Sequence, residues 1–412
     1  METRLWTRNF ILVTVASTLG SAGAIAGGFA LSFLVFDETG STLASALIVA
    51  IQLVPYIILP LVVAPLMDRL PRKALLVGGD IANGLVYLAL GLWLVFMGFS
   101  YVGYLAISVL LACLGSIDEL AFTSIYPEII PQGAEQKGYS VSSMLYPVLK
   151  VIMMPAAAVM LDTIGVPMLL MGQGALSLLA ALTESFISVK ERGRETREKY
   201  GFEAWRFDIR EAAAYLKHEQ GLLSLFSYMA VTNGVAVGYA PILIAFFRTA
   251  PGFTAAMYSL FSVAEFAGRT LGSALQYRVS IPKKRRFPLV FFVYQLYETM
   301  DMLLLWLPYP FMLVNRGLCG FFGANSAILR SAAVQRYIPE QLRSRVNAAS
   351  GVMLTAAESL LTLAVGALGE LMDYRICLTA CGAVAMCACW ILIWGKRRAV
   401  RAVFEAEGTA AA

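Results

Sequence analysis

The stretch PLMDRLPRKALLVGGD, residues 65–80, gathers Asp68, Arg69, Arg72 and Lys73 into one short segment of a 412-residue chain that is 59% hydrophobic and only 14% charged. Apolar runs flank it on both sides, residues 42–66 before it and 74–98 after it. Each run is near the ~20 residues a helix needs to cross a hydrocarbon core, so the segment reads as a polar turn between two membrane spans. A mean hydropathy of +0.71 extends that reading to the whole chain, since soluble domains are closer to half apolar.

Working outward, twelve spans are predicted: 9–36, 42–66, 74–98, 101–120, 139–162, 166–189, 221–247, 253–276, 287–307, 310–333, 346–372 and 375–395. The runs are continuous, not alternating segments of about ten residues, which selects helices over barrel strands. Basic residues favour cytoplasmic loops. Of 32 Lys and Arg residues, only Arg248 and Arg375 fall in loops on the far side, while Lys150, Arg269 and Arg316 lie within spans. Both termini are therefore expected in the cytoplasm of a multi-pass inner-membrane protein. The net charge of +5 reflects this loop asymmetry and no nucleic-acid partner is implied. The apolar run behind Arg4 and Arg8 is too long for a signal peptide and is read as the first span.

The longest polar segment, Lys190 to Gln220, divides the spans six and six. The expected domains are thus 1–189, a linker at 190–220, 221–395, and a cytoplasmic tail at 396–412. Phe202, Trp205, Ile209, Ala212 and Leu216 recur at helical spacing in the linker, which predicts an amphipathic helix along the membrane surface. The halves also repeat. IIPQGAEQKGYSVSSMLYPVLK (129–150) and YIPEQLRSRVNAASGVMLTAAE (337–358) align without a gap, matching Ile130 with Ile338, Pro131 with Pro339 and Lys137 with Arg345. Two such halves are the architecture expected of an alternating-access carrier.

The opening stretch resembles the signature loop between spans two and three of the major facilitator superfamily, G-x-x-x-D-R/K-x-G-x-R-R/K. Asp68, Arg69, Arg72 and Lys73 fill its charged positions, Ala64 stands at its first glycine, and Pro71 lies in its turn. GGFALSFLVFDETGSTLASALIVAIQLVPYIILPLVVAPLMDRLPRK (27–73) and YIPEQLRSRVNAASG (337–351) are similar to the macrolide-efflux and enterobactin-exporter branch. The resemblance implies an all-α fold of two pseudo-symmetric six-helix halves, and secondary export of small amphipathic compounds coupled to ion entry. Exporters often carry G-x-x-x-G-P-x-x-G-G in span five; KVIMMPAAAVMLD (150–162) keeps Pro155 and Ala156 to Ala158 but not the glycines. The resemblance also implies that Asp68 docks at the N-terminal end of span eleven, near Arg345 to Ala348. A carboxylate there gains ~0.3–1 kcal/mol when exposed and up to ~2 when partly buried. Fixing topology alone would need no Asp.

A charge at a helix centre costs ~2.5–3.5 kcal/mol on insertion scales, so buried charges should be paired or functional. The deepest are Lys150, Glu265, Arg269, Glu298, Asp301, Arg316 and Glu358, while Asp80 and Glu184 are read as lying nearer the cytoplasmic interface. Glu265 and Arg269, four apart, are expected to pair. The fold implied by the resemblance lets Lys150 join them, as a structural or a coupling network. Glu358, the repeat counterpart of Lys150, is the leading proton or cation carrier; the competing reading is a permanent pair with Arg316. Glu298 and Asp301 share a face of span nine, where a structural role is favoured.

Glycines 20, 23, 27 and 28 in span one, and NGVAVG (233–238) in span seven, suit close helix packing. Asn233, Tyr146 and Tyr239 are candidates for a substrate cavity. Cys377, Cys381, Cys387 and Cys389 crowd span twelve without His or acidic companions and read as packing residues, not a metal site. One histidine, His218, and the absence of G-x-S-x-G and P-loop motifs argue against an enzyme or an ATP-driven pump. No cofactor is implied. The expected function is proton-coupled, drug- or siderophore-type efflux by a monomer; the alternatives are an importer or facilitator on the same fold and, further off, a transport-inactive receptor or a membrane enzyme.

Overall fold

The computed structural model describes residues 5–67, 71–131, 134–188, 202–278 and 281–406. Among these the regular structure is helical: α1 (Arg8–Thr39), α2 (Thr42–Met67), α3 (Arg72–Phe96), α4 (Tyr101–Ile129), α5 (Glu135–Ser185), α6 (Phe202–His218), α7 (Gln220–Thr249), α8 (Ala255–Arg278), α9 (Lys283–Leu303), α10 (Tyr309–Tyr337), α11 (Glu340–Leu371), α12 (Tyr374–Ala388) and α13 (Arg397–Glu405). Nine helices among the described residues are long and apolar enough to cross a membrane.

Local chemistry sets the helix ends. Thr7 Oγ1 accepts from Phe10 N at 3.3 Å, Ser100 Oγ from Gly103 N at 3.4 Å and Asp373 from Arg375 N at 2.9 Å, each covering an amide that the first turn leaves open. Prolines 71, 282, 308 and 339 hold the N-cap positions of α3, α9, α10 and α11. Their rigid φ and missing donor are harmless there and start the helices sharply. Two predicted spans are joined within α5, whose path breaks at Gly165 (φ 77, ψ 173), a conformation only glycine takes without strain.

The chain forms two compact units, residues 1–40 with 51–202, and residues 41–50 with 203–412. In the first, α1 and α3 pack on the part of α5 beyond Gly165. A Cβ at Gly84 would stand 2.9 Å from the Gly174 carbonyl, so the α3 and α5 backbones nearly touch. In the second, α7 pairs with α11 and α8 with α10. The NGVAVG glycines serve this packing: Gly234 faces Leu361 and the Ala357 carbonyl, and Gly238 faces Val365. Residues 41–50, the start of α2, belong to this unit, where the Thr42 hydroxyl donates to the Gly366 carbonyl at 2.8 Å and Ser41 to Glu370 at 2.7 Å.

The repeat is visible in backbone angles. Ile130 ends α4 at φ −75, ψ 128 and Ile338 ends α10 at φ −76, ψ 128. Each precedes a proline, which drives it from helical to extended geometry. Two amphipathic helices flank the second unit's core. Leu216 of α6 is 6% exposed there, so that end of the linker helix docks on protein. The expected tail contains α13, whose Val400, Val403 and Phe404 are buried in the same cluster. Cys377, Cys381 and Cys389 are buried packing residues of α12 and its continuation.

The α8–α10 contact is made backbone to backbone: a Cβ on Gly268 would lie 1.8 Å from the Gly317 carbonyl. Gly268→Val should therefore force the helices apart and lower stability by ~1–3 kcal/mol. Gly317→Ala meets only an ordinary 3.5 Å contact with Ala264 and should be tolerated. Thermal unfolding of both variants in detergent micelles checks this pair.

Candidate functional site

Helical periodicity builds a polar cavity of about 750 Å³ inside the first unit. Leu76, Asp80, Asn83 and Tyr87 follow the i, i+4, i+7, i+11 pattern on α3, and Leu111, Gly115, Asp118 and Phe122 repeat it on α4, so each set makes one stripe facing the cavity. Gln173, Ser177 and Glu184 line it from α5 beyond Gly165, and Tyr146 from the earlier part of that helix. The floor along α1 is small: Ser17, Gly20, Ser21 and Ala24. The glycine stripe of span one thus divides its work. Gly20 walls the cavity, while Gly23 and Gly27 give room to Gln173 of α5.

Several polar side chains around this space carry an unsatisfied atom. Asn83 Oδ1, Asp118 Oδ1, Gln173 Oε1 and Glu184 Oε2 are buried with no hydrogen-bond partner. Gln173 does hydrogen-bond Tyr87, but through the other end of its amide. Gln173 and Glu184 are each 3% exposed, so solvent at the protein surface does not serve them. Unpartnered buried oxygens are expensive and normally mark a site where water or a ligand completes the set.

In the second unit the membrane carboxylates have partners, arginines or neutral donors. Asp301 pairs with Arg316, and the neighbouring Asn315 Nδ2 donates to the Met300 carbonyl at 2.9 Å. Tyr228 OH donates to Glu298 Oε1 at 3.2 Å. Glu265 and Arg269 pair at 2.8 Å, as their spacing predicts. Glu358 does not meet Arg316: its carboxyl group is half-buried and hydrogen-bonds the Asn233 amide of α7. The correction follows from helix neighbours, since α10 packs on α8 and α9 while α11 packs on α7. Tyr239, expected toward a cavity, is 4% exposed in the core of the second unit. Lys150 is an exposed residue of α5 in the first unit.

Asp68 and Arg69 lie outside the described residues. Arg72 pairs with Glu128 at 2.8 Å and donates to the Ser124 carbonyl at 3.2 Å, tying α3 to the end of α4. Lys73 Nζ donates to the Ser185 carbonyl at 2.7 Å. Arg345, placed by the resemblance near the Asp68 dock, pairs with Glu211 of α6.

Membrane helices, a breaking glycine between spans five and six, and matching helix ends at Ile130 and Ile338 now stand beside a family match. The family model described as Major Facilitator Superfamily matches residues 10–297. The chain belongs to that superfamily. It is a transporter of this kind, not an enzyme, and a multi-pass membrane protein. Comparison with curated protein sequences gives no match. Among solved structures, the nucleoside transporter NupG superposes with a TM-score of 0.68 at 10% identity, over 97% of this chain and 100% of that one. A POT family transporter in complex with 5-aminolevulinic acid gives 0.72 at 10%, over 95% and 96%. A bacterial homologue of the human lysosomal transporter Spinster gives 0.63 at 13%, over 96% and 93%. At these identities the likeness establishes the fold and leaves the substrate open.

The sequence reading passed over Asp118, Glu119 and Gln173. The signal that finds the first of them is the shared i, i+4, i+7, i+11 stripe on α3 and α4.

Proposed function

We propose that this superfamily member is a secondary active exporter of small amphipathic compounds, worked by alternating access of two six-helix halves and driven by proton entry. The observation that carries the reading is the 750 Å³ cavity among membrane helices, walled by carboxylates and aromatic rings. That size suits a drug-like molecule. Glu358 is assigned the coupling role because it sits mid-helix in α11 with a neutral amide partner instead of a base. Asn233 orients its carboxyl group, and Tyr146 contributes a cavity wall.

The Asp301–Arg316 pair ties α9 to α10 in the second unit, while the Glu265–Arg269 pair lies along one face of α8. Lys150, a membrane charge without an ion pair among the described residues, is assigned to the coupling network. The loop motif Asp68, Arg69, Arg72 and Lys73 is assigned to gating, its last two residues anchoring α3 through Glu128 and the Ser185 carbonyl. The protein works as a monomer in the inner membrane with both termini cytoplasmic.

A comparison of a deletion strain with an overexpressing strain, across antibiotics, siderophores and dyes, tests the direction. Overexpression should raise the tolerated concentration of at least one class. An overexpressor that becomes more sensitive, and accumulates the compound, would instead support the import reading.

A further inference from the structure

One short strip of the chain changes sides. By sequence α2 belongs to the first six-span half, yet its opening residues 41–50 are part of the second unit, while residues 51–67 lie in the first. A point of bending stands at each end of the strip. Gly40, just before it, is in left-handed geometry (φ 62) and turns the chain out of α1. Pro55, just after it, leaves the Ile51 carbonyl without its helical donor, a place where helices kink.

Between these points the strip is seated on α11. Thr42, Ala46 and Ala50, every fourth residue, are each 1% exposed or less. They run antiparallel to Glu370, Gly366 and Ser359, which share one face of α11. The Ser359 hydroxyl donates to the Ala50 carbonyl at 3.0 Å, and the Ala46 methyl group fills the space that a side chain on Gly366 would need. At the far end Glu370 Oε1 accepts from Ser41 Oγ at 2.7 Å, from Thr42 Oγ1 at 3.2 Å and from the Leu43 amide at 3.0 Å. A single carboxylate oxygen therefore gathers three donors of the first turn of α2, where open amides favour negative charge.

This seam is built to part. Its packing sets small residues against small residues, and Glu370 is itself exposed. The other face of α11 differs, since Leu361 and Val365 lock into Gly234 and Gly238 of α7.

We propose that residues 41–50 are a clasp that closes the transport path on the side away from the cytoplasm, with Glu370 as its latch, and that the clasp parts from α11 in each cycle. Glu370 is a positioning residue in this role and touches no substrate. The inference rests on the transport reading and on its topology, which puts the turn at Gly40 on the far side of the membrane.

Two measurements on the full-length protein test it. The first follows, in nanodiscs, the reaction of the buried thiol in Ala46→Cys with a water-soluble methanethiosulfonate, read by mass spectrometry of the peptide that contains it. Adding Glu370→Ala should speed the reaction by about ten-fold or more, the scale of losing hydrogen bonds to a charged group, and Glu370→Gln, which keeps an acceptor, by less. An unchanged rate with Glu370→Ala would overturn the latch. The second joins the thiols of the double variant Ser41→Cys, Glu370→Cys with a short bifunctional methanethiosulfonate and reads ethidium flux in proteoliposomes. Joining should stop the flux and dithiothreitol should restore it, with neither reagent affecting the parent. Undiminished flux in the joined protein would mean that the strip never leaves α11, which defeats this inference and leaves the transport reading standing. A parent that carries no ethidium, with the thiol rates as expected, would count against the transport reading and uphold the latch.

Discussion

Arg316→Met is expected to destabilise the protein by ~3–5 kcal/mol, because it strands the Asp301 carboxylate at a site where its side chain is 3% exposed. The cost comes from the charge left behind and not from the value of the pair, since a buried pair repays its desolvation only narrowly. The double replacement Asp301→Leu, Arg316→Met removes both charges and should recover most of the loss. Denaturant titration of the four proteins of this cycle in micelles measures the coupling. If the single arginine variant is as stable as the parent, the pair does not hold α9 to α10 as described.

The second large effect is on coupling and not on folding. Glu358→Gln preserves size and can still hydrogen-bond the Asn233 amide, so the packing of α7 against α11 through Gly234 and Gly238 should survive. What is lost is a group able to take and release a proton within the membrane. The expected result is loss of pH-driven flux by at least about ten-fold, with substrate exchange in the absence of a gradient retained, since exchange cycles only the substrate-loaded carrier and the carboxyl group is needed for its proton-loaded return. Loss of binding and exchange together would assign Glu358 to substrate recognition instead.

Much of the fold was legible because length and hydropathy are enough to specify a membrane helix. The repeat was legible because a proline after Ile130 and after Ile338 dictates the same backbone angles at both places. The Glu265–Arg269 pair was legible because it lies on one helix, four residues apart. The Asp301–Arg316 pair was not, since it depends on which helices are neighbours, and spacing along the chain carries no such information. Asp80, Asp118 and Glu184 are 38 and 66 residues apart in sequence and meet only through packing of α3, α4 and α5. The sequence reading also ended span four at residue 120, where Asp118 and Glu119 depress hydropathy. In the structure α4 continues to Ile129, which places Asp118 well inside the helix and not at its edge. Charged residues that belong to a membrane site shorten the apparent span and conceal themselves by doing so. The helix α13 was hidden differently: Val400, Val403 and Phe404 are too few to mark a helix by periodicity, and their partners lie in α7 and α9.

The central claim is gradient-driven export through this chain. Its most direct measurement is flux of a cationic dye in proteoliposomes containing only the purified protein, with a pH gradient imposed in either direction and collapsed by an ionophore. Accumulation of dye on the more acidic side, against its own gradient and abolished by the ionophore and by Glu358→Gln, is the predicted result. Flux that only runs down the dye gradient and ignores the imposed pH would contradict the account and identify a facilitator.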